Sequence, residues 1–186
     1  MLVNYNNIPQ EIKELKQWVV WGVDKERIKM PFNPINLRPA SAGKLQTWGS
    51  YEQAVSRVKS GKAKGIGFEF NSNGIVGVDL DKIYINDKIT DDAQEIINKL
   101  DSYTEISPSG KGFHILVKGQ INQKSYRKGF IEMYSKERYF TMTGDLFGSL
   151  KPINNRTNEL HKIYDKYLNN QNKQQSLDVI KNVSTN

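Results

Sequence analysis

The 186-residue sequence contains no cysteine, which removes disulfide scaffolds, thiolate zinc sites and cysteine nucleophiles together. It has only two histidines, His114 and His161, too few for a multi-histidine metal centre. Apolar runs stay well short of the roughly 18 residues that cross a bilayer, and the first residues lack the basic-then-apolar order of a secretory signal. The expectation is a soluble protein, not exported by that route and without a membrane partner. Acidic residues are the minority: 20 Asp and Glu against 27 Lys and Arg, a formal charge of +7. That balance favours a polyanionic partner such as nucleic acid or nucleotide phosphates, with a generally basic surface as the alternative.

At 37% hydrophobic and 10% aromatic residues, the chain has enough apolar material for one folded domain. Its composition shifts once, near residue 169, into NNQNKQQSLDVIKNVSTN. Residues 1–168 are therefore expected to fold as one unit, and 169–186 to form a polar linker or disordered tail.

Helices are predicted at 9–16, with Asn7 as a cap, at 51–60 behind Ser50, at 91–100 behind Thr90, and at 157–168. Strands are predicted at 18–23, 65–70, 75–81, 103–107, 113–117, 130–134 and 138–143. The proline-bearing stretch 29–48 reads as an extended loop. Asn73-Gly74 between apolar runs predicts a hairpin joining 65–70 to 75–81, and the turn at 135–137 predicts a second. Strands with interspersed helices give an α+β class.

Three segments carry chemistry. In VGVDLD (76–81), alternation sends Val78 and Leu80 inward and projects Asp79 and Asp81 together. Two such carboxylates either hold Mg²⁺ or Mn²⁺ or simply end a strand as solvated acids. In SPSGKGFHI (107–115), Ser107, Ser109, Gly110, Lys111 and Gly112 form a small, basic turn whose backbone N–H groups suit an anion. The spacing is not that of a Walker A loop. His114 follows on the face opposite Phe113 and Ile115, in either a structural or a catalytic role. In IEMYSKERYFTMTG (131–144), Glu132 sits among apolar strand residues, so it is either paired, with Arg138 across the turn, or functional. Arg138 and Thr143 equally suit phosphate oxygens.

In series, these segments resemble the archaeo-eukaryotic primase superfamily, in particular the bifunctional primase-polymerase domains of phages, plasmids and mobile elements. The resemblance covers roughly residues 15–145 and includes the upstream WVVWGV, RIKMPFNP, TWGSYEQAV and GIGFEF. It implies two modules, an N-terminal α/β module and one related to the RNA-recognition-motif sheet, with the active site in the cleft between them. It also implies that Asp79, Asp81 and Glu132 bind Mg²⁺ or Mn²⁺, and that His114 contacts the nucleotide phosphates. Ser107, Ser109, Gly110, Lys111, Gly112, Arg138, Thr143 and Lys29 would complete the nucleotide site. Glu132 stands where many members carry Asp.

The implied activity is template-directed nucleotidyl transfer by a DNA primase or polymerase. Its partners would be a DNA template and primer, dNTP or NTP, and a helicase domain or protein, in the cytoplasm of a bacterial host. With about one helix and a polar tail after Thr143, the chain lacks the helical domain that follows many such cores, so extension is expected ahead of initiation. The alternative is a catalytically inactive primase-fold replication module that binds DNA or partners. A metal-dependent nuclease is a third reading, for which the 107–114 loop would be superfluous. Trp18, Trp48, Tyr126 and Tyr139 are available to stack on bases or to pack in the core, the latter favoured for Trp18.

Overall fold

Where the sequence combines a cap with a helical apolar repeat, a helix forms at the expected place. The computed structural model describes residues 3–23 and 29–169; residues 170–186 of the expected tail lie outside the described residues. Helix α1 (Gln10–Lys13) is shorter than expected and has Pro9 at its N-cap, while Asn7 donates through Nδ2 to Gly144 O (2.9 Å) instead of capping it. Strands β1 (Trp18–Val23) and β2 (Lys29–Phe32) follow. Part of the expected loop is thus a strand. Its Pro31 is tolerated because β2 lies on a sheet edge.

Helix α2 (Tyr51–Lys59) carries a full capping box, with the Ser50 hydroxyl accepting from Gln53 N and the Gln53 side chain accepting from Ser50 N. Then come β3 (Gly65–Asn71), β4 (Ile75–Leu80), and a small ribbon of β5 (Tyr84–Ile85) and β6 (Lys88–Ile89). Helix α3 (Asp91–Leu100) is capped by Thr90 and buries Ala93, Ile96, Ile97 and Leu100. The remaining elements are β7 (Thr104–Ile106), β8 (Phe113–Lys118), β9 (Ser125–Lys128), β10 (Ile131–Tyr134), β11 (Lys136–Met142) and α4 (Thr157–Ile163). A π-helical turn, Tyr164–Leu168, extends α4.

The strands form two sheets, ordered β11-β3-β1-β2 and β7-β8-β4-β10-β9, in which every named pairing is antiparallel. That satisfies the α+β expectation. Neither predicted hairpin exists. β3 and β4 lie in different sheets, as do β10 and β11, so the chain changes sheet at 71–75 and returns at 134–136. A bond from Ser72 N to Ser135 O (2.7 Å) ties the two corners together. An Asn-Gly pair turns the chain sharply, but it does not oblige the flanking strands to pair.

Two cores result. One, with Val76, Val78, Leu80, Ile115 and Met133, packs the five-stranded sheet under α3 and α4. The other brings both sheets together through Trp18, Phe68, Phe70 and Phe140 from one and Leu116 and Tyr134 from the other. Its rings run edge to face from Tyr51 through Trp18, Phe68 and Phe70 to Phe140, with centroids 4.8–5.7 Å apart. Trp18 is therefore core, as favoured, and Trp48 is buried against Val19 and Ala40. Gly77 makes room for the end of this run: a Cβ there would sit 2.3 Å from Phe70 and 2.5 Å from Phe140. Among the described residues no helix is long and apolar enough to cross a membrane.

Candidate active site

The register of the five-stranded sheet aligns one polar side chain from every strand. Glu105 on β7 opposes His114 on β8, which opposes Asp79 on β4, which opposes Glu132 on β10, which opposes Arg127 on β9. Directly opposed residues share a face, so these five form one row across the sheet. They share the face of Leu116 and Tyr134, which packs on the other sheet. Val78, Leu80, Phe113 and Ile115 take the opposite face, as alternation required.

Asp79 is the strained member. It is 9% exposed, and its Oδ1 has no hydrogen-bond partner among the described residues. His114 Nε2 lies 3.9 Å from that oxygen, too far for a hydrogen bond. Burial pushes the Asp79 carboxyl up to about 6; His114 offsets part of the rise, while Asp81 and Glu132 add to it.

Glu132 is better provided for. Arg127 Nε lies 2.5 Å from Oε1, and the Tyr134 hydroxyl donates to Oε2. Burial and this bond push the Tyr134 hydroxyl up to about 12. Arg138, the partner expected from sequence, stands 4.0 Å away, with its guanidinium 5.0 Å from the Tyr134 ring centroid. His114 is fixed on two sides: Phe140 stacks on it at 4.5 Å with 20° between planes, and Nδ1 lies 3.3 Å from Glu105 Oε1.

A cavity of about 380 Å³ opens over this row, lined by Lys29, Asp79, Asp81, Ser107, Ser109, His114 and Arg138, with Pro108, Tyr139, Phe140 and Thr141. Seven sequence-predicted residues, from both sheets and the 107–112 loop, thus meet at one place. Lys29 reaches it from β2, and Tyr139 OH braces that strand by donating to Lys29 O (3.0 Å). Partial burial lowers the Lys29 ammonium, against the pull of Asp79 and Asp81. The loop closes through Gly110 N to Ser107 O (2.9 Å) and a 3.0 Å contact between the Ser107 and Ser109 hydroxyls. Gly112 seats it: a Cβ there would lie 2.3 Å from Leu80 O and 3.0 Å from Asp81 Oδ1.

Other predicted residues stand outside that cavity. Lys111 is exposed. The Thr143 hydroxyl donates to Ile106 O (2.8 Å), and Thr143 and Gly110 line a neighbouring cavity of about 700 Å³. Tyr126 packs against Tyr164, centroids 4.3 Å apart.

The sequence reading missed Glu105, Arg127, Phe140 and Thr141. Spacing offers a signal only for Glu105, which alternates with Tyr103 and Ser107 toward the same face.

Among the described residues, no three carboxylate or imidazole groups stand close enough to enclose one cation. The donor set nevertheless fits a hard divalent ion. Asp79 offers a buried, unpartnered oxygen at the cavity with Asp81 beside it, while both Glu132 oxygens are held, by Arg127 and Tyr134.

No protein-family model matches the chain. It is, however, similar to a protein named DNA Primase-polymerase from Nitratiruptor phage NrS-1, at 34% identity over 140 residues, covering 70% of this chain. The match spans 19% of that relative's length. The chain belongs to the family of phage-type primase-polymerase domains.

Proposed function

We propose that this domain is a template-directed nucleotidyltransferase, a DNA primase or DNA polymerase that joins nucleotides on a DNA template in replication of a phage, plasmid or mobile element. The observation that carries the reading is the unpartnered Asp79 oxygen, set between His114 and Glu132 at a cavity rimmed by Lys29 and Arg138. Acids that repel one another beside a cationic rim suit a substrate bringing both metal ions and phosphates.

Asp79 and Asp81, with Glu132, would hold Mg²⁺ or Mn²⁺, which when bound supply the Lewis acidity for attack of a primer 3′-oxygen on the α-phosphate. Lys29 and Arg138 bind triphosphate oxygens and offset their charge, with His114 beside them at the cavity. Ser107, Ser109 and the backbone of the loop fix the phosphate chain by hydrogen bonds. As the new ester bond to phosphorus forms, the bond to the β-phosphate oxygen breaks and pyrophosphate leaves. In this reading the two sheets are the two modules of the fold, and the cavity is the cleft between them. The surplus positive charge tracks the template backbone, giving salt-sensitive and largely sequence-independent binding. The proposed setting is a bacterial host's cytoplasm, with a helicase supplying single strands.

Primer extension with labelled dNTPs and Mn²⁺ on a primed single-stranded template tests this, run beside Asp79→Ala and Asp81→Ala. Extension by the unmodified chain alone is expected. Equal activity in all three, or none in any while DNA still binds, refutes it and favours an inactive DNA-binding module. An unprimed template then separates initiation from extension.

A further inference from the structure

Glu105 is fully buried at 0% exposure, yet the chemistry above makes no use of it. Donors surround it: Tyr103 OH at 2.7 Å, Gly144 N at 2.8 Å and Thr143 N at 3.1 Å from each oxygen, with His114 Nδ1 at 3.3 Å. Tyr103, Thr143 and Gly144 all donate to this carboxyl group, which accepts on both oxygens. The one neighbour with a choice is His114, whose ring can carry its proton on either nitrogen.

With Glu105 accepting on both oxygens and Oε1 3.3 Å from the ring, a His114 proton belongs on Nδ1. Phe140, stacked on its face at 4.5 Å, opposes a flip of the ring. Nε2 is left on the Asp79 side, 3.9 Å from Oδ1 and bonded to neither acid, where His114 lines the cavity. The same carboxylate also grips Thr143 and Gly144, just beyond the strand that supplies Arg138, Phe140 and Thr141. One buried group thus ties both walls of the cavity together.

We propose that Glu105 is a positioning residue: it holds His114 with the proton on Nδ1 and Nε2 presented to the nucleotide, and anchors the end of β11 against β7. The last step rests on the nucleotide reading given above. The placement of the proton does not.

The test uses the full chain with ¹⁵N-labelled histidine. Only two histidines contribute, and exposed His161 is identified by His161→Gln. Two-bond ¹⁵N–¹H correlation on the nucleotide-free protein is expected to show His114 protonated at Nδ1. In Glu105→Gln, shown to be folded by circular dichroism, His114 is expected to move to a mixture of tautomers. Its affinity for a Mg²⁺-dNTP, by calorimetry, is expected to fall by about 10- to 100-fold, the scale of a misplaced contact group.

An unprotonated Nδ1 in the unmodified chain overturns the proposal whether or not any variant folds. So does a folded Glu105→Gln with the tautomer unchanged. If the unmodified chain binds no dNTP while Nδ1 carries the proton and Glu105→Gln releases it, the nucleotide reading fails and the positioning role stands.

Discussion

Replacing Asp79 by Asn should make the metal-free protein more stable while destroying its proposed activity. The Asp79 carboxyl rises from 3.8 to about 6 on folding, chiefly through burial. A change of about two pH units at ~1.4 kcal/mol each sets an upper bound of ~3 kcal/mol on the cost of keeping the folded chain's carboxylate ionised. The sign follows from proton binding. Between about pH 4 and 6 the folded chain holds a proton that the unfolded chain has lost, so stability falls as pH rises through that window. Below it the carboxyl is neutral in both states and the cost disappears.

Asn is neutral throughout, although it leaves a polar oxygen unpartnered as Asp does, so a net gain of ~1–3 kcal/mol is expected at pH 7.5. For a chain of this size each kcal/mol moves the midpoint by about 2–4 °C. Urea unfolding in EDTA at pH 7.5 and pH 4.5 measures it: the advantage of Asp79→Asn should be present at the higher pH and mostly gone at the lower. Glu69, on β3, is also buried, with both oxygens unpartnered among the described residues and its carboxyl pushed up to about 7. It contributes equally to both chains and cancels in the difference. Adding Mn²⁺ should then stabilise only the chain with Asp79. No gain at pH 7.5, or an equal gain at both pH values, refutes the assignment of a buried, uncompensated anion.

Gly112→Ala places a Cβ 2.3 Å from the Leu80 carbonyl, a backbone atom with little room to give. A loss of ~1–3 kcal/mol, the usual cost of overpacking, is expected in a thermal melt, together with weakened dNTP binding; retention of both would show that the loop does not seat there. Arg127→Gln frees Glu132 from its 2.5 Å partner. Mn²⁺ affinity of the nucleotide-free protein, by calorimetry, should rise by about two- to fivefold, the scale of an exposed ion pair; an unchanged affinity would show that Arg127 does not compete for the acid.

Local chemistry was legible in the sequence and partner choice was not. Ser50 and Thr90 announced their helices because capping and the apolar repeat act within four residues. Alternation along β4, β8 and β10 puts Asp79, His114 and Glu132 on one face of the sheet. The two corners misled because β4 and β10, which adjoin them, are buried on both faces along their whole length. Such a strand carries no alternation to say which sheet it joins. Arg127 was missed because Ser-Tyr-Arg-Lys has no apolar alternation to mark it as a strand. Glu105 was missed as a site residue because its donors lie as far away as Gly144.

The placement of the sheets also bears on the order in which the chain organises itself. All five strands of the larger sheet come from residues 75–134, while β3 and β11, on either side of that stretch, pair with each other from Asn71 and Lys136 onward, with a shift of register between Lys136 and Tyr139. The smaller sheet therefore has to close a loop of roughly 65 residues before its last strand can dock, an entropic cost that grows as (3/2)RT ln n. If the larger sheet forms first, pairing of Gly77 with Tyr134 already brings the two ends together. The remaining loop is then a handful of residues, and closure is easier by ~2 kcal/mol on the same scaling. The acid-bearing sheet thus doubles as the template on which the smaller sheet completes itself, and docking of β11 should follow its formation in refolding.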